Sequence, residues 1–358
     1  MVNAAFWQGR QAFITGHTGF MGGWLASLLL GLGAKVSGYA LAPQDGPGFF
    51  EATDLGSRLQ ESVIGDVRDA SVLEAALIAA SPSVVFHLAA QPLVRRAYSE
   101  PEFTFATNVM GTVNLLEAVR RCPSVKAVLV VTTDKVYTNM NTTRPYCETD
   151  RLGGREPYSA SKAAAEMVVD AYRHSYLVPP GVGEGRVGLA AIRAGNIFGG
   201  GDWAADRIVP DAVRSFQAGR PLVLRNPAST RPWQHVLDPL PGYLHLAENL
   251  CADPGAFSEG WNFGPVVHDC RPVGTLAQLL GDAWGEGAEV RVEPNNRIFE
   301  ERLLALDSAK AGRRLGWIPR WNLEAAVART VEWYKTYYSR GDVWALTQSQ
   351  CATLMKAA

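Results

Sequence analysis

The sequence predicts an α/β protein built on a doubly wound parallel sheet with a smaller C-terminal lobe. From about residue 10 to residue 135, short apolar or β-branched runs alternate with longer segments whose apolar residues recur at helical spacing. A glycine-rich turn joins the first run to the first such segment, and the composition changes after residue 198. This alternation is typical of βαβ units, in which helices cross over between parallel strands.

Five runs have the length and side-chain character of buried strands. They are QAFIT, AKVSGYAL, SVVFHLAA, KAVLVVTT and, beyond a Pro/Gly-rich break at VPPGVGEG, VGLAAIRAG. The segments with helical spacing in this part of the chain are WLASLLLGLG, SVLEAALIAA, FTFATNVMGTVNLLEAVRRC and SASKAAAEMVVDAYRHSY. The alternation predicts a Rossmann-type sheet with helices on both faces.

The change of composition divides the chain into two parts and a tail. Residues 1–198 are expected to form the Rossmann-type domain. Residues 199–340, with more Pro, Trp and Arg, are expected to form mainly a substrate-binding lobe from which the chain crosses back to the first domain. The segment EAAVARTVEWYKTYYSRG is expected to be a closing helix, and residues 341–358 a tail without clear periodicity.

Composition and charge exclude several classes of function. Hydrophobic residues make up 47% of the chain and charged residues 19%, a balance typical of globular proteins. No run reaches the roughly 18 apolar residues that a membrane-spanning helix needs, and no secretory signal is recognisable, so a cytoplasmic protein is expected. The net charge of −1 indicates neither a nucleic-acid nor a membrane partner. The five cysteines lack the spacing of a metal site, so no metal is expected.

The turn between the first strand and the first helix has a glycine at every third position. Gly16 allows the tight turn, Gly19 lets the backbone approach a pyrophosphate, and Gly22 lets the helix pack close to the sheet. The N-terminus of the helix then directs unpaired N–H groups at the phosphates. A dinucleotide is therefore expected here, in contact with Gly16, His17, Thr18, Gly19, Phe20, Met21 and Gly22.

The rest of the expected cofactor pocket follows at the ends of later strands. Ala40 stands where an acidic residue usually binds the ribose, and no arginine replaces it to accept a 2′-phosphate, so NAD is the expected cofactor. Asp66 either faces the adenine amino group or caps the next helix. Asn108 either bonds backbone at the pocket or lies in a subunit interface. The further expected cofactor contacts are Val67, Leu88, Ala89 and Ala90.

A tyrosine and a lysine four residues apart, Tyr158 and Lys162, share one face of a predicted helix. Because a tyrosine has a pKa near 10, it accepts a proton at neutral pH only where a cation stabilises the phenolate. Lys162 and a bound nicotinamide ring are the expected cations; the alternative is an exposed pair on an amphipathic helix. Thr133, or its neighbour Thr132, is expected to hydrogen-bond the reacting oxygen, and His87 to be a core histidine.

The sequence resembles the CDP-glucose 4,6-dehydratases, a family of extended short-chain dehydrogenases/reductases, over nearly its whole length. The motifs that carry the resemblance are ITGHTGFMGGWL, FHLAAQPLVRRAY, TNVMGT, TTDKVY, PYSASKAAAE, RAGNIFGGGDWA, RNPASTRPWQHVLDPLPGY and SEGWNFGP. Related dTDP-sugar dehydratases have Asp–Glu after the threonine, whereas this chain and the CDP-glucose enzymes have Asp–Lys. Two segments depart from the family pattern: residues 139–150, and residues 295–302, where Phe299 and Arg302 replace histidines.

The resemblance implies an intramolecular oxidation, dehydration and reduction of CDP-glucose with tightly held NAD. Tyr158 would deprotonate the hydroxyl on sugar carbon 4, with Thr133 beside it and Lys162 in support. Lys135 would then remove the hydrogen on carbon 5, and Asp134 would protonate the departing hydroxyl of carbon 6. In the alternative, Asp134 only caps the loop that follows it. The hydride returns to carbon 6, so NAD⁺ is regenerated.

The resemblance also places substrate contacts in the second half of the chain. Asn196 and Arg231 match the positions at which this superfamily grips the diphosphate of a nucleotide sugar, and the fork of an arginine suits that role. The other expected substrate contacts are Gln91, Arg207, Arg225 and His235. In the alternative interpretation, the arginines and Trp233 of this stretch pack the lobe.

Two other functions remain as alternatives. A nucleotide-sugar 4-epimerase, or a dehydratase of another nucleotide sugar, would share Tyr158 and Lys162, although an epimerase would not need the Asp–Lys pair. A non-enzymatic NAD-sensing protein is disfavoured because both residues are present. The resemblance further implies deoxysugar biosynthesis for lipopolysaccharide O-antigens, and a homodimer or tetramer through a four-helix seam of residues 102–121 and 159–177.

Overall fold

The computed structural model of the chain describes residues 2–43, 47–140, 142, 144–178, 187–293 and 304–356. Of the break expected at 178–185, only residue 178 is among these residues. The divergent segment 295–302, with Phe299 and Arg302, lies outside them.

The strands are β1 Gln11–Thr15, β2 Lys35–Ala40, β3 Glu61–Ile64, β4 Val84–His87, β5 Ala127–Val131, β6 Gly188–Ala194, β7 Asn196–Phe198, β8 Leu222–Leu224, β9 Thr230–His235, β10 Gly260–Phe263, β11 Cys270–Pro272 and β12 Val290–Val292.

The main sheet has seven strands, all parallel, in the order β10-β6-β5-β4-β1-β2-β3. The α-helices are α1 Ala4–Trp7, α2 Phe20–Gly31, α3 Phe49–Ala52, α4 Ala70–Ala80, α5 Val94–Ser99, α6 Pro101–Phe105, α7 Gly111–Arg120, α8 Pro157–Tyr172, α9 Ile208–Gln217, α10 Leu240–Ala252, α11 Pro254–Phe257, α12 Val273–Trp284, α13 Ala309–Leu315, α14 Leu323–Tyr338 and α15 Val343–Lys356.

Helices cover both faces of this sheet, which confirms the doubly wound prediction. Neighbouring residues of a strand point to opposite faces, so Ile14 of β1 joins the core under α2 and α10, whereas Phe13 joins the core under α4, α7 and α8. The carboxyl ends of the parallel strands meet at one edge of the sheet, where such folds bind their ligands.

The helix expected over residues 103–122 consists of three consecutive segments. Between α6 and α7 the backbone takes π-helical geometry over Ala106–Met110. Such π-helical turns are rare and frequently mark functional sites. Here the turn contains the buried Asn108, whose bonds are described below.

Strands β7 to β12 build two small sheets and also extend the main one. A three-stranded sheet has the order β11-β9-β7, and a two-stranded sheet pairs β12 with β8. Strand β10, which lies between β9 and β11 in sequence, pairs in parallel with β6 at the edge of the main sheet. The chain thus returns to the main sheet after residue 198.

Residues 343–356 form helix α15, where the sequence suggested a tail without periodicity. Its buried positions are helically spaced, but polar Thr347 and Gln350 occupy two of them. Thr347 Oγ1 accepts a hydrogen bond from Trp333 Nε1 at 3.0 Å, and Gln350 Nε2 donates to Arg329 O at 3.0 Å. Because these two polar side chains are buried through bonds to α14, the buried face of α15 has no continuous apolar pattern in the sequence.

Among the described residues, no helix has both the length and the apolar content needed to cross a membrane. The same part of the chain contains no cluster of three or more His, Cys, Asp or Glu side chains arranged to hold a metal ion.

Candidate active site

The glycine turn after β1 forms a cradle that side chains would fill. Gly16 has φ +82°, and a Cβ on it would lie 2.8 Å from Ala89 N. A Cβ on Gly22 would lie 2.1 Å from Gly16 O. Gly22 was expected to let α2 pack close to the sheet, but the atoms nearest to it belong to the glycine turn itself. Gly19 caps α2 without a side-chain hydrogen bond, which leaves the first N–H groups of the helix open. The turn therefore fits the pyrophosphate of a dinucleotide.

The other residues of the turn are held by the protein. His17 is fully buried, and its Nε2 shares a hydrogen bond of 2.7 Å with Ser62 Oγ. Burial lowers the pKa of His17 to about 4, so the ring is neutral at pH 7. Thr18 Oγ1 donates to Leu41 O at 3.0 Å. Phe20 and Met21 pack against the core. Phosphate recognition at this turn therefore falls to the backbone.

Asp66 lies beyond β3 and is paired with Arg68. The pair is 2.6 Å apart, and hydrogen bonds from Arg68 hold the pKa of the carboxyl below its usual range. The cap of α4 is Asp69, which accepts a hydrogen bond from Val72 N at 3.2 Å. The alternative that Asp66 caps this helix is therefore wrong. Val67 is buried against Gly111 of α7.

Beyond β4, the segment Leu88–Ala90 has small or apolar side chains beside the glycine turn, and Ala89 N donates to Thr15 Oγ1 at 3.2 Å. His87 is bonded on both ring nitrogens, to Thr15 Oγ1 at 2.7 Å and to Thr112 Oγ1 at 3.3 Å. Burial lowers its pKa to about 3. The ring is a neutral core group, as expected.

Asn108 joins the loop after β4 to helix α8. Its Oδ1 accepts from Gln91 N at 2.8 Å, and its Nδ2 donates to Gln91 O and to Ser161 Oγ. Of the two interpretations from the sequence, the structure shows the bonding to backbone beside the pocket. The side chain of Gln91 bonds Leu93 and Thr104, so it shapes this loop.

Tyr158 lies in the first turn of α8, where Glu156 caps the helix by accepting hydrogen bonds from Tyr158 N and Ser159 N. The phenol is 8% exposed, and it lies beside the Thr133 hydroxyl, whose hydrogen bonding acts to lower the pKa of the phenol. Thr132 instead turns inward and donates to Glu166 Oε1 at 2.7 Å. The structure thus brings Thr133 to the phenol and takes Thr132 away from it.

Burial raises the pKa of Tyr158 to about 12. The bond to Thr133 and the charge of Arg207 act against this rise, whereas the charge of Asp134 adds to it. Arg207 precedes α9 and is held by Asp202, with Nη1 donating to Oδ2 at 3.0 Å. The sequence predicts Lys162 as the cation beside the phenol, whereas in the structure it is the charge of Arg207 that lowers the pKa of Tyr158.

Lys162 lies one helical turn after Tyr158 and is 7% exposed. Its Nζ donates to Val131 O at 3.1 Å, at the end of β5. Burial lowers the pKa of Lys162 to about 8, and the charge of Glu166 acts in the opposite direction. Lys162 is therefore an ammonium that changes its charge near physiological pH. It is not an exposed member of an amphipathic helix.

Asp134 and Lys135 follow in a single 3₁₀ turn, Asp134–Val136. Thr133 caps this turn by accepting from Lys135 N at 3.3 Å, and its hydroxyl donates to Asp134 Oδ1 at 3.0 Å. The capping role proposed as an alternative for Asp134 thus belongs to Thr133. Asp134 is 2% exposed, and its charge helps to raise the pKa of the Cys270 thiol in β11. The turn therefore faces the C-terminal lobe.

The expected substrate contacts lie around β7, β8 and β9. Asn196 begins β7 and is in register with Trp233, whose Nε1 donates to Arg271 O at 2.9 Å. Arg231 lies two residues before this tryptophan, in β9, and Arg225 is exposed just beyond β8. The tryptophan is buried and packs the lobe.

His235 lies in an aromatic part of the core, away from an open surface. It is 1% exposed, with its ring 5.8 Å from that of Trp24 and 4.9 Å from that of Trp321. Its Nδ1 accepts from Leu237 N at 3.2 Å, and burial lowers its pKa to about 3. The described contacts of His235 are those of a packing residue.

Sequence reasoning missed a buried ion pair beside the residues that flank Thr133–Lys135. Glu166 of α8 and Arg193 of β6 are 3% and 5% exposed. Removing one partner of such a pair costs about 3–5 kcal/mol, because the other charge is left buried alone. Two signals were visible in the sequence: a glutamate four residues after Lys162, and an arginine inside the apolar run VGLAAIRAG.

Comparisons with known proteins identify the family of this chain. The family described as GDP-mannose 4,6 dehydratase matches residues 13–330. A curated CDP-glucose 4,6-dehydratase of Salmonella typhimurium is 44% identical over 357 residues, which is 100% of this chain and 99% of the relative. The resemblance seen in the sequence is thereby confirmed.

Solved structures show the same fold. The dTDP-glucose 4,6-dehydratase DesIV of Streptomyces venezuelae, with NAD and TYD bound, has a TM-score of 0.75 and 26% identity, covering 93% of this chain and 99% of that one. A UDP-glucose 4-epimerase of Thermotoga maritima has a TM-score of 0.76 and 24% identity, covering 92% and 98%. Because the fold is shared by dehydratases and an epimerase, the choice between these reactions depends on the residues of the site.

Proposed function

This chain belongs to the GDP-mannose 4,6-dehydratase family, and we propose that it is the lyase that converts CDP-D-glucose to CDP-4-dehydro-6-deoxy-D-glucose and water. The observation that carries the proposal is the turn with Asp134 and Lys135, which begins at Thr133, the residue beside the phenol of Tyr158. An epimerase has no water to eliminate and no use for a second acid–base pair. The full-length identity to a CDP-glucose 4,6-dehydratase supports the choice of nucleotide.

The residues present fit NAD. The cradle at Gly16 and Gly22 admits backbone where any Cβ would clash, and the open N-terminus of α2 complements a pyrophosphate. We propose that Asp66 and Val67 lie along the adenosine and that Leu88–Ala90 lie against the rest of the cofactor. NAD, when bound, accepts a hydride from carbon 4 of the sugar and later delivers it to carbon 6.

Tyr158 is proposed to take the proton of the hydroxyl on carbon 4. In the protein alone burial holds its pKa near 12, so the base needs positive charge close by. Arg207 supplies part of it, and we propose that the Lys162 ammonium, one turn along the helix, adds to it when substrate and cofactor are bound. Thr133 orients the phenol through its hydroxyl. Asn108 contributes by fixing the loop beside α8.

Asp134 and Lys135 are proposed to carry out the elimination. Oxidation of carbon 4 to a ketone acidifies the hydrogen on carbon 5, and Lys135 in its neutral form removes it. The C5–H electron pair forms the C5–C6 double bond as the hydroxyl on carbon 6 leaves, protonated by Asp134 to give water. A proton then returns to carbon 5 as the hydride is delivered to carbon 6. Tyr158 releases the proton of the carbon 4 hydroxyl to solvent and Asp134 takes one up, which completes the balance of atoms and electrons.

The remaining proposals concern recognition and context. We propose that the diphosphate and the groups next to it are bound by Asn196, Arg225 and Arg231. Arg207 is proposed to lie nearer the sugar. Gln91 and His235 are proposed to act through the packing described above. We also propose a cytoplasmic location, a place in deoxysugar biosynthesis for lipopolysaccharide O-antigens, and a homodimer.

The dimer proposal is supported by apolar side chains exposed on neighbouring helices. Met110 precedes α7 directly and is 50% exposed, and Met167 of α8 is 60% exposed. Phe105 and Tyr176, near the same two helices, are 39% and 53% exposed. A second copy that brings the same helices together would bury these side chains in a four-helix seam.

The test is to incubate the purified protein with CDP-glucose and catalytic NAD⁺ and to follow the sugar nucleotide by mass spectrometry. We expect the product to be lighter by one water, and Lys135→Ala to lose at least 100-fold in kcat while NAD⁺ binding, measured by calorimetry, stays unchanged. An unchanged mass with inversion at carbon 4 would establish an epimerase instead. Faster loss of water from UDP-, dTDP- or GDP-sugars would overturn the choice of CDP-glucose.

A further inference from the structure

The segment Thr133–Lys135 has weak bonds of its own. Its 3₁₀ turn is closed by Val136 N to Thr133 O at 3.4 Å and by Tyr137 N to Asp134 O at 3.5 Å, both at the long limit for a hydrogen bond. A turn of this kind does not fix its side chains by itself. Shorter hydrogen bonds hold the residues at its two ends.

The end before the segment is bound to the buried carboxylate. Thr132 Oγ1 donates to Glu166 Oε1 at 2.7 Å and also lies 2.9 Å from Ile192 O. Thr132 N donates to the same carbonyl at 2.7 Å. The last residue before Thr133 is thus fastened to helix α8 and strand β6.

The end after the segment is bound to the arginine that pairs with this carboxylate. Arg193 Nη1 donates to Tyr137 Oη at 2.7 Å, and Tyr137 Oη donates to Asn262 Oδ1 at 2.7 Å. Asn262, in β10, is itself held through Nδ2 by Tyr146 O at 2.9 Å. The tyrosine that ends the turn is thus fastened to strands β6 and β10.

The two ends meet in one ion pair. Arg193 Nε donates to Glu166 Oε1 at 2.9 Å and to Oε2 at 3.0 Å. Gly260 leaves the room for the guanidinium, since a Cβ there would lie 2.8 Å from Arg193 Nη2. Burying two charges is costly compared with apolar side chains of the same volume. Such a pair is better explained by a geometric task than by stability.

We propose that this ion pair positions the catalytic segment by holding it at both ends, so that the acid and the base of the elimination keep their places while Tyr158 acts in the oxidation. The positioning residues are Thr132, Tyr137, Glu166 and Arg193. The inference rests on the proposed function, because the elimination is the step in which Asp134 and Lys135 act.

Tyr137→Phe tests the inference, and Tyr146→Phe is its matched control. The two rings stack with centroids 5.2 Å apart and are 2% and 3% exposed. Each substitution removes one buried hydroxyl, but the Tyr146 hydroxyl bonds Met140 N and Asn139, outside the ion pair. Thermal unfolding establishes that both variants fold. If Tyr137→Phe does not fold, Thr132→Val replaces it with the same expectations.

The measurement is the fraction of bound cofactor in its reduced form during turnover of CDP-glucose, read by fluorescence. In Tyr137→Phe we expect kcat to fall about tenfold, because a displacement of about 1 Å in a catalytic group slows its step strongly. KM should change less than twofold. The reduced fraction should rise, because oxidation continues while elimination slows. Tyr146→Phe should keep the wild-type fraction.

Hydrogen–deuterium exchange of the unliganded protein gives a second measurement that needs no turnover. Amides in residues 133–137 should exchange faster in Tyr137→Phe than in Tyr146→Phe. Equal exchange and an equal reduced fraction in the two variants, in an enzyme that does dehydrate CDP-glucose, would overturn the inference. A wild-type protein that dehydrates no sugar nucleotide would overturn the proposed function instead, and the exchange comparison would still decide whether the ion pair holds the segment.

Discussion

At the scale of single residues, the charge state of Lys162 links the site to pH. Two neighbours set it: the surrounding core, which lowers the pKa of Lys162 to about 8, and Glu166, which acts in the opposite direction. In the proposed mechanism the ammonium stabilises the phenolate of Tyr158, so its loss would remove the support of the base. We therefore expect the oxidation step to depend on the protonation of this buried amine.

We predict that kcat falls as pH rises through about 8, by about tenfold per pH unit as for loss of one proton. Glu166→Gln removes the charge that favours the ammonium, so the midpoint of the fall in kcat should move to lower pH. Thr132→Val breaks the contact to Glu166 without changing the charge of Glu166, so in this variant the midpoint should stay at its wild-type pH. A flat profile to pH 10, or the same midpoint in Glu166→Gln, would contradict this role of Lys162.

The same residue should act on stability with the opposite sign. The pKa of Lys162 is lowered from 10.5 in folding, so the unfolded chain binds more protons between pH about 8 and 10.5. Its contribution to the free energy of unfolding therefore rises with pH in the interval in which activity falls. Denaturant unfolding across this interval separates loss of catalysis from loss of fold.

Residues differ in how far the sequence predicts them. The pair Tyr158 and Lys162 could be found because spacing along one helix is local information. Thr133 could not be separated from Thr132, because that choice depends on which one meets α8. The rings that surround His235 include Trp24 and Trp321, which are distant from it in the sequence. Its burial among aromatic rings could therefore not be predicted from the adjacent residues in the sequence.

At the scale of elements, the junction of β1 and α2 depends on backbone contact. We predict that Gly22→Ala abolishes NAD⁺ binding and lowers the free energy of unfolding by about 3 kcal/mol, because the new Cβ meets a carbonyl oxygen that cannot give way. Calorimetry and denaturant unfolding measure the two effects. Binding with wild-type affinity would contradict the proposed cradle.

Gly281→Ala, within helix α12, is the matched control. Its Cβ would lie 3.7 Å from Val290 Cγ2, an ordinary contact. Alanine in a helix is favoured over glycine by about 1 kcal/mol. This variant should therefore be as stable as the wild type or slightly more stable, with NAD⁺ binding unchanged.

Elements with strong apolar patterns were predictable, and elements with satisfied polar groups were not. The first strands and α2 follow from their runs because burial against the sheet needs apolar side chains. Helix α15 was not predicted because two of its buried residues, Thr347 and Gln350, are polar and form hydrogen bonds to α14. The sequence predicted that the chain crosses back from the second part to the first, but not that a strand, β10, does so. Its pairing with β6, which places Asn262 behind the catalytic turn, depends on contacts between distant segments.

At the scale of the whole molecule, the helices around residues 102–121 and 159–177 predict self-association. We predict that the wild-type protein sediments as a dimer and that Met110→Asp and Met167→Asp each weaken the dimer at least tenfold, because a carboxylate would be buried in an apolar seam. Sedimentation velocity over a range of concentrations measures this.

Ile318→Asp is the control for these substitutions. Ile318 is 60% exposed, as Met167 is, but lies between α13 and α14 in the C-terminal part of the chain. It should leave the sedimentation coefficient unchanged. A monomeric wild-type protein, or a dimer that neither methionine substitution weakens, would contradict the proposed four-helix seam.

The central claim is that one site oxidises carbon 4, eliminates water across carbons 5 and 6, and reduces carbon 6. Turnover of CDP-glucose in D₂O, followed by mass spectrometry and NMR of the product, tests it most directly. We expect a product that has lost one water, carries one solvent deuterium at carbon 5 and is formed with no net consumption of NAD⁺. A product of unchanged sugar formula with inverted carbon 4 and no deuterium at carbon 5 would contradict it.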